Sequence, residues 1–305
     1  MERPGTHTDT EHEKELEAFL KFGTSTLTHN DCITPLSNLP SEYRKKIEKG
    51  YSTGWKCIDY YLQGIRLGEM TVVTADTGAG KTTFCTQLMV NCAMQGVPVW
   101  INSWEMKPQI TMRKLASIIL RRPMKMCDFS DHENEQFDEW AYRYKVYINP
   151  KTIGIDIDGL AKQLVTAKSL GIEVVMLDHL DYLVNSKKEK LHEAIDETVK
   201  RLHELAFALS MHFVLICHPR QSSGSGDEIG MHSLKGSSSI KQYADNIIIM
   251  HRCSRTDATA DPNKVKVRIS KNRMFGIEGV TYLFYEPLWD GYEEFRQQYD
   301  GFKKQ

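Results

Sequence analysis

The sequence predicts an α/β protein with a mostly parallel sheet and helices on both faces. Three patterns lead to this prediction. From Ser52 onward, short apolar runs alternate with longer amphipathic segments, which is typical of strands joined by crossover helices. Several of these runs, such as residues 97–103, have the composition of strands buried on both faces. A Gly-rich turn also joins the first strand to the first long helix.

The predicted elements follow one another along the chain. After the strand that begins at Met70, strands are predicted at 97–103, 146–149, 174–178 and 212–217. Helices are predicted at 108–120 and 157–170, and along a stripe that we interpret as core contact, Leu191, Ile195, Val199, Leu202, Leu205 and Leu209. Three closing strands, at 246–250, 264–270 and 279–285, are expected to form a C-terminal antiparallel extension. Residues 122–145 stay unassigned.

We divide the chain into an N-terminal segment (1–50), one large domain (51–290) and a polar C-terminal tail (291–305). Residues 11–22 favour a linker or docking helix, because their apolar face is too narrow for a core of its own. The basic run at 44–46 fits a solvated helix face that needs no function.

Composition limits the functional classes. The 305 residues carry a net charge of −1, so any nucleic-acid site must be a local basic patch. Seven cysteines without a CxxC pair predict reduced thiols in a reducing compartment. The sequence has no signal peptide and no apolar run of about 18 residues, so we expect a cytoplasmic-type protein without a membrane partner.

The Gly-rich turn has the features of a phosphate-binding loop. Its residues are Thr77, Gly78, Ala79, Gly80, Lys81, Thr82 and Thr83. Glycines let several backbone N–H groups approach a polyphosphate, and the helix N-terminus adds a favourable dipole. Lys81 would reach the β- and γ-phosphates, and the Thr82 hydroxyl would bind Mg²⁺. The Walker pattern has glycine where this chain has Ala75, a mild departure. The motif predicts ATP, or another nucleoside triphosphate, with Mg²⁺.

Three polar residues follow the ends of predicted strands, where ligands bind in open parallel sheets. Glu105 is a candidate general base, although an exposed carboxylate in a turn is the simpler alternative. Asp178 ends an apolar run and suits a Mg²⁺ site. His218 could contact the γ-phosphate, or it could be structural.

Phosphoryl transfer also calls for an arginine finger, and Lys271 and Arg273 lie where a strand meets a tight turn. On their own these two residues are better explained as a solvated hairpin tip.

With these motifs in place, the chain resembles the hexameric ring helicases with a RecA-like P-loop core, of the phage primase-helicase and Twinkle type, related to the DnaB family. Five blocks in family order carry the resemblance: TADTGAGKTT, NSWEM, VVMLDHLDYL, ICHPRQ with HSLKGSSSIKQYADNIIIMHR, and VRISKNRMFG. They lie between about residues 52 and 286. DnaB also has alanine at the first Walker position.

The resemblance implies roles for the candidate residues. Glu105 would be the catalytic base, Asp178 the Walker B acid and His218 the γ-phosphate sensor. Arg273, with Lys271 beside it, would act in trans on the neighbour's ATP, while Arg252 and Tyr285 would pack near base and sugar. Two loops would contact DNA, through Lys187, Lys188, Lys190, Arg220, Lys235, Gly236 and Ser237.

The implied function is an ATP-dependent DNA helicase that acts in replication as a hexameric ring, moving 5′ to 3′ on single-stranded DNA and opening a forked duplex. Only about 50 residues precede the core, so priming is expected from a separate polypeptide, with a primase or a polymerase as the partner, unless the chain is an excised domain. A phage protein would work in the host cytoplasm, and the mitochondrial matrix is the other location that the resemblance allows. Two alternatives stay open: a RecA/RadA/KaiC-like recombinase or regulatory ATPase, and a non-catalytic DNA-binding ring.

Overall fold

The computed structural model describes residues 49–76, 78–123, 129–150, 155–180, 183–184, 191–219, 237–257 and 259–294. The predicted helix at 11–22, the basic run at 44–46, the lysine-rich loop at 185–190 and the Gly/Ser loop at 221–235 lie outside these residues. So does Thr77 of the phosphate loop.

The described residues form helices and strands in alternation. The helices are α1 (Lys56–Leu62), α2 (Lys81–Met94), α3 (Pro108–Leu120), α4 (Asp131–Arg143), α5 (Ile157–Ser169), α6 (Leu191–Ala208) and α7 (Ser237–Tyr243). The strands are β1 (Met70–Ala75), β2 (Val99–Ser103), β3 (Val146–Ile148), β4 (Val174–Asp178), β5 (His212–Cys217), β6 (Asn246–Arg252), β7 (Lys264–Asn272), β8 (Gly279–Glu286) and β9 (Gly291–Glu294).

All these strands belong to one sheet, in the order β3-β2-β4-β5-β1-β6-β7-β8-β9. Strands β3 to β6 in that order are mutually parallel, whereas β7, β8 and β9 are antiparallel. Every residue of β1, β2, β4 and β5 is buried, because helices cover both faces. The predicted fold class, including the antiparallel extension, is confirmed.

The two faces of the sheet carry separate apolar clusters. One contains Phe84 and Leu88 of α2 with Leu115 of α3. The other contains Leu160 of α5 and, from the predicted stripe, buried residues of α6 that include Ile195. The interpretation of that stripe as core contact is therefore confirmed for Ile195, Val199, Leu202, Leu205 and Leu209. Since helices cover both faces of the sheet, we expect a ligand pocket at the edge formed by the ends of the parallel strands.

Four elements were not predicted. α1 and α7 have seven residues each, too few for a clear helical period. α4 lies within the unassigned stretch and has no buried residue, and a capping box between Ser130 and Glu133 fixes its start. β9 continues the sheet into the predicted polar tail, so the sheet extends beyond the predicted boundary at residue 290.

The strand predicted from residue 97 begins instead at Val99, because Pro98 cannot donate a ladder hydrogen bond.

Five cysteines in the described ranges, Cys57, Cys85, Cys92, Cys217 and Cys253, are free thiols. Within those ranges no helix is both long and apolar enough to cross a membrane.

Candidate nucleotide-binding site

The predicted phosphate loop connects β1 to α2 at the edge of the sheet. Gly78 (φ 73°) and Gly80 (φ 90°) have left-handed backbone conformations, which favour glycine. A Cβ atom on Gly80 would also collide with the hydroxyl oxygen of Tyr292. Ala75 is different, because it is the fully buried last residue of β1 and has no left-handed backbone to accommodate. The backbone at this position therefore does not require the glycine of the Walker pattern.

Lys81 is the first residue of α2, and its ammonium group lies under the loop. Its Nζ donates hydrogen bonds to the carbonyl oxygens of Ala75 (2.8 Å) and Asp76 (3.3 Å). Burial lowers the pKa of Lys81, and the negative charge of Asp178 opposes that shift. α2 has no side-chain cap at its start, so its first N–H groups stay available for an anion.

Asp178 ends β4 directly beside Ser103, the last residue of β2. The Ser103 hydroxyl donates to Oδ2 of Asp178 (3.0 Å). The other oxygen, Oδ1, is buried and accepts no hydrogen bond from the residues described. Burial raises the pKa of Asp178, while His179 and Ser103 act in the opposite direction. A buried carboxylate oxygen without a hydrogen bond is suited to a divalent cation or to one of its waters.

A histidine pair links the candidate base to the candidate sensor. Nε2 of His179 contacts a carboxylate oxygen of Glu105, and the His179 ring stacks on His218 with centroids 4.1 Å apart. His179 has a left-handed backbone (φ 79°) and is buried, whereas Glu105 is half exposed. The ligand atoms of Glu105, Asp178 and His179 all lie within 4.8 Å of one another. His179 was not predicted, although it directly follows Asp178 in the VVMLDH run.

The opposite wall of the pocket comes from the C-terminal strands. The Arg252 guanidinium lies over the ring of Tyr285, 5.3 Å from its centroid. The Tyr285 hydroxyl donates to Oδ1 of Asp290 (2.8 Å), and burial with this carboxylate raises the tyrosine pKa. Lys114 of α3 donates to Oδ2 of the same aspartate (2.9 Å) and to the Thr83 hydroxyl (2.6 Å). These contacts connect the far wall to the start of α2.

One cavity is therefore lined by residues that lie far apart in the sequence, from Gly78 to Asp290. The predicted residues that line it are Gly78, Gly80, Lys81, Thr82, Thr83, Glu105, His218, Arg252 and Tyr285. Those that were not predicted are Met106, Lys114, His179 and Asp290. The unpredicted residues come from turns and helix faces, where single residues carry no recognisable spacing.

Lys271 and Arg273 do not line this cavity. They lie at the end of β7, where the Arg273 guanidinium forms an ion pair with Asp245 (2.9 Å). Lys271 donates to the carbonyl oxygens of Lys241 and Ala244. A role in trans, on another copy's nucleotide, stays a prediction. Of the predicted DNA-binding residues, Ser237 begins α7, and the other six lie outside the described residues.

Comparison with known proteins decides the family. Residues 50–294 match the family described as "DnaB-like helicase C terminal domain". This chain belongs to that DnaB-like family. The predicted resemblance is thus confirmed, and the matched range ends where β9 ends.

Named relatives of this DnaB-like chain include replicative helicases. It is 26% identical to a "DNA helicase/primase" of Enterobacteria phage T3 over 72% of this chain and 41% of the relative. It is also 26% identical to a "Probable plasmid replicative DNA helicase" of Chlamydia psittaci (79% and 55%) and to "Replicative DNA helicase DnaB" of Buchnera aphidicola (82% and 58%). The chain spans about half the length of these relatives.

Solved structures agree on the fold. "ATPase Domain of G40P" superposes with a TM-score of 0.72 at 18% identity, covering 83% of this chain and 94% of that one. A DnaB-like replicative helicase described with its interactions with primase gives 0.71 at 18% identity, covering 92% and 71%. A KaiC-like protein of Pyrococcus horikoshii OT3 gives 0.57 at 15% identity. At such identities the likeness concerns the fold alone, so it does not separate helicase from KaiC-like function.

Proposed function

We propose that this chain is the motor domain of an ATP-dependent replicative DNA helicase, which acts as a hexameric ring and moves 5′ to 3′ on single-stranded DNA. One observation carries the proposal. A single pocket combines a phosphate-cradling loop, the buried Lys81, the Glu105 carboxylate and a stacked histidine pair. The buried Asp178 carboxylate lies behind this lining, within 4.8 Å of the ligand atoms of Glu105 and His179. Membership of the DnaB-like family supports the reaction class.

The inner end of the pocket suits the triphosphate. Backbone N–H groups of the loop and the Lys81 ammonium would bind the β- and γ-phosphates. The Thr82 hydroxyl and the unbonded Oδ1 of Asp178 would hold Mg²⁺, directly or through its waters. When bound, that ion neutralises charge on the phosphates. Asp178 stays oriented because the Ser103 hydroxyl holds its second oxygen.

Glu105 is the group we assign to the attacking water. Its carboxylate is half exposed at the rim, so it can meet a water molecule, and His179 contacts one of its oxygens. We assign His179 the task of keeping Glu105 directed at the pocket. His218, stacked on His179, would then contact the γ-phosphate and respond to its loss. Positioning of this kind, with charge neutralisation, supplies most of the catalysis in phosphoryl transfer.

The outer end of the pocket suits the nucleoside. The Tyr285 ring offers an apolar face, and the Arg252 guanidinium a cation with several N–H donors. The Asp290 carboxylate fixes both Tyr285 and Lys114. We therefore assign base and sugar binding to Arg252 and Tyr285, as the family resemblance implies.

The ring completes the site in this proposal. Arg273 and Lys271 of one subunit would reach the triphosphate of the next, since neither lines the pocket of its own chain. DNA would pass through the ring and contact the two loops assigned from the sequence, through Lys187, Lys188, Lys190, Arg220, Lys235, Gly236 and Ser237.

Primase is the partner we expect, with a polymerase as a further one, and cytoplasm is the expected location. One relative is named as both helicase and primase, and one similar structure is described with primase.

The test is unwinding of forked DNA with a 5′ or a 3′ tail, comparing the wild type with Lys81→Ala. The wild type should open the 5′-tailed fork with ATP and Mg²⁺. The variant should lose at least about a hundredfold in rate, because the phosphates lose their buried cation. Lys168→Ala is the matched control, as Lys168 lies in the last turn of α5 and does not line the pocket.

Three outcomes would contradict the proposal. Unwinding by Lys81→Ala at the wild-type rate would show that the pocket does not power the reaction. Strand exchange without fork opening would favour a recombinase. Full activity at the monomer mass in analytical ultracentrifugation would exclude a site completed by a neighbour.

A further inference from the structure

The turn after β7 is fastened to the C-terminal end of α7 at several points. Lys271 Nζ donates to the carbonyl oxygens of Lys241 (2.5 Å) and Ala244 (2.6 Å). The Arg273 backbone N–H donates to the Asp245 carbonyl oxygen (2.8 Å), and its guanidinium donates to the Gln242 carbonyl oxygen. Carbonyl groups at a helix C-terminus lack helical partners and attract cations. Lys271 near the end of β7 and Arg273 just after it are thus both held by the C-terminal end of α7.

Asp245 forms an ion pair with Arg273 in addition to its backbone contact. Its Oδ1 pairs with Arg273 Nη1 at 2.9 Å, and its Oδ2 accepts the backbone N–H of Met70 at 2.9 Å. The Asp245 side chain is 9% exposed, against 43% for Arg273. The Asp245 carboxylate is therefore held by the backbone of β1 as well as by the Arg273 guanidinium. His203 of α6 also lies 3.6 Å from Oδ2.

The arginine keeps donors for a second anion. A guanidinium has five N–H donors, and the contacts to Asp245, Gln242 and His203 use only some of them. Its half-exposed position leaves the rest accessible from solvent. An arginine held on one side by a buried carboxylate and open on the other is pre-oriented, so it loses little conformational freedom when it binds a phosphate.

We propose that Asp245 is a positioning residue that orients Arg273 toward the nucleotide of an adjacent copy of this chain. This inference rests on the proposed role of Arg273 in trans. Asp245 touches no nucleotide itself. It acts by joining the first strand of its own subunit to the arginine that completes the neighbour's site.

Asp245→Asn separates the two tasks of the carboxylate. The amide oxygen can still accept the Met70 N–H, but the side chain loses the charge that pairs with Arg273. We expect kcat of DNA-stimulated ATP hydrolysis to fall at least about tenfold while KM for ATP stays within twofold. Asp245→Glu keeps the charge and should recover part of kcat. It also serves as the second variant if the Asn protein unfolds.

The decisive comparison adds Asp245→Asn to Arg273→Ala. If Asp245 acts through Arg273, the double variant has the same kcat as Arg273→Ala alone. A further loss in the double variant, or a wild-type kcat for Asp245→Asn beside an impaired Arg273→Ala, overturns the positioning role and leaves the proposed function intact. A wild-type kcat for Arg273→Ala overturns the trans arginine itself, and this inference with it.

The matched control is Glu204→Gln on α6. Glu204 pairs with Lys200 and Arg201 on its own helix and contacts neither Arg273 nor Asp245. It should keep the wild-type kcat. A loss equal to that of Asp245→Asn would mean that any lost carboxylate on this face slows turnover, and would overturn the specific role of Asp245.

Discussion

The two halves of the sheet differ in strand direction, in burial and in what they contribute to the pocket. In the parallel half, whole strands such as β1 and β4 are buried. Asp178 ends β4, Glu105 follows β2, and Lys81 begins the helix after β1. In the antiparallel half, β7 and β8 alternate between buried and partly exposed residues. That half contributes Tyr285 to the outer wall and carries Arg273 away from the pocket.

This difference assigns separate tasks to the halves. Side chains at the ends of fully covered strands are held by a rigid, dry core, which suits groups that must be placed to a fraction of an ångström. Strands with one solvent-exposed face can instead present side chains to the nucleoside part of a ligand or to another subunit. We therefore expect variants of the parallel half's pocket residues to reduce turnover. Variants in the antiparallel half should alter binding or stability, except at Arg273, whose proposed role lies in the neighbour's site.

The largest effect is expected at Glu105. Glu105→Gln removes the carboxylate that would accept a proton from water, so kcat for ATP hydrolysis should fall about 10²- to 10⁴-fold. Nucleotide binding, followed with a fluorescent ATP analogue, should change little. Glu135→Gln, on the exposed face of α4, is the control and should behave as wild type. A Glu105→Gln protein with normal kcat would assign the base to another residue.

A smaller effect is expected at Tyr285 in the antiparallel half. Tyr285→Ala removes the ring that we assign to the nucleoside, and KM for ATP should rise about tenfold with kcat nearly unchanged. Tyr285→Phe keeps the ring and loses only the hydrogen bond to Asp290, so its KM should stay close to wild type. A drop in kcat with normal KM for the Ala variant would end the division of tasks between the halves.

The smallest effect is expected at Tyr292 of β9. Its hydroxyl lies 3.2 Å from the carbonyl oxygen of Ala79 and 3.3 Å from that of Gly80. Tyr292→Phe should lower the free energy of unfolding by about 1 kcal/mol, and Tm by about 2–4 °C, because the buried carbonyls lose a donor. Urea unfolding would measure this. An unchanged midpoint would mean that the loop does not depend on β9.

Sequence patterns predicted the strands of the parallel half. Its strands are uninterrupted apolar runs, and its functional residues either belong to the GKT motif or come just after such runs, as Glu105 and Asp178 do. A residue that directly follows any of these strands lies at the same edge of the sheet, because the carboxyl ends of parallel strands meet there. Its place in the sequence therefore indicates its place in the site.

The unpredicted parts depend on contacts between distant residues. Lys114 and Asp290 meet across 176 positions, and no local pattern connects them. α4 has no buried residue, so its apolar period is weak, and α7 is too short to show one. His179 is an exception, since it stands beside Asp178 in the sequence. It has a left-handed backbone and its ring contacts Glu105, and residue type alone reveals neither feature.

The position of Tyr292 also bears on how the domain can be cut. This residue supports a glycine-rich segment that lies 213 positions earlier in the chain, and its backbone is bonded to Gln87 and Trp55 as well. A fragment that ends before β9 would keep the phosphate loop, Glu105 and Asp178, but it would lose the contacts of Tyr292 with that loop, Gln87 and Trp55. Truncations, tags and fusion joints should therefore be placed after Glu294.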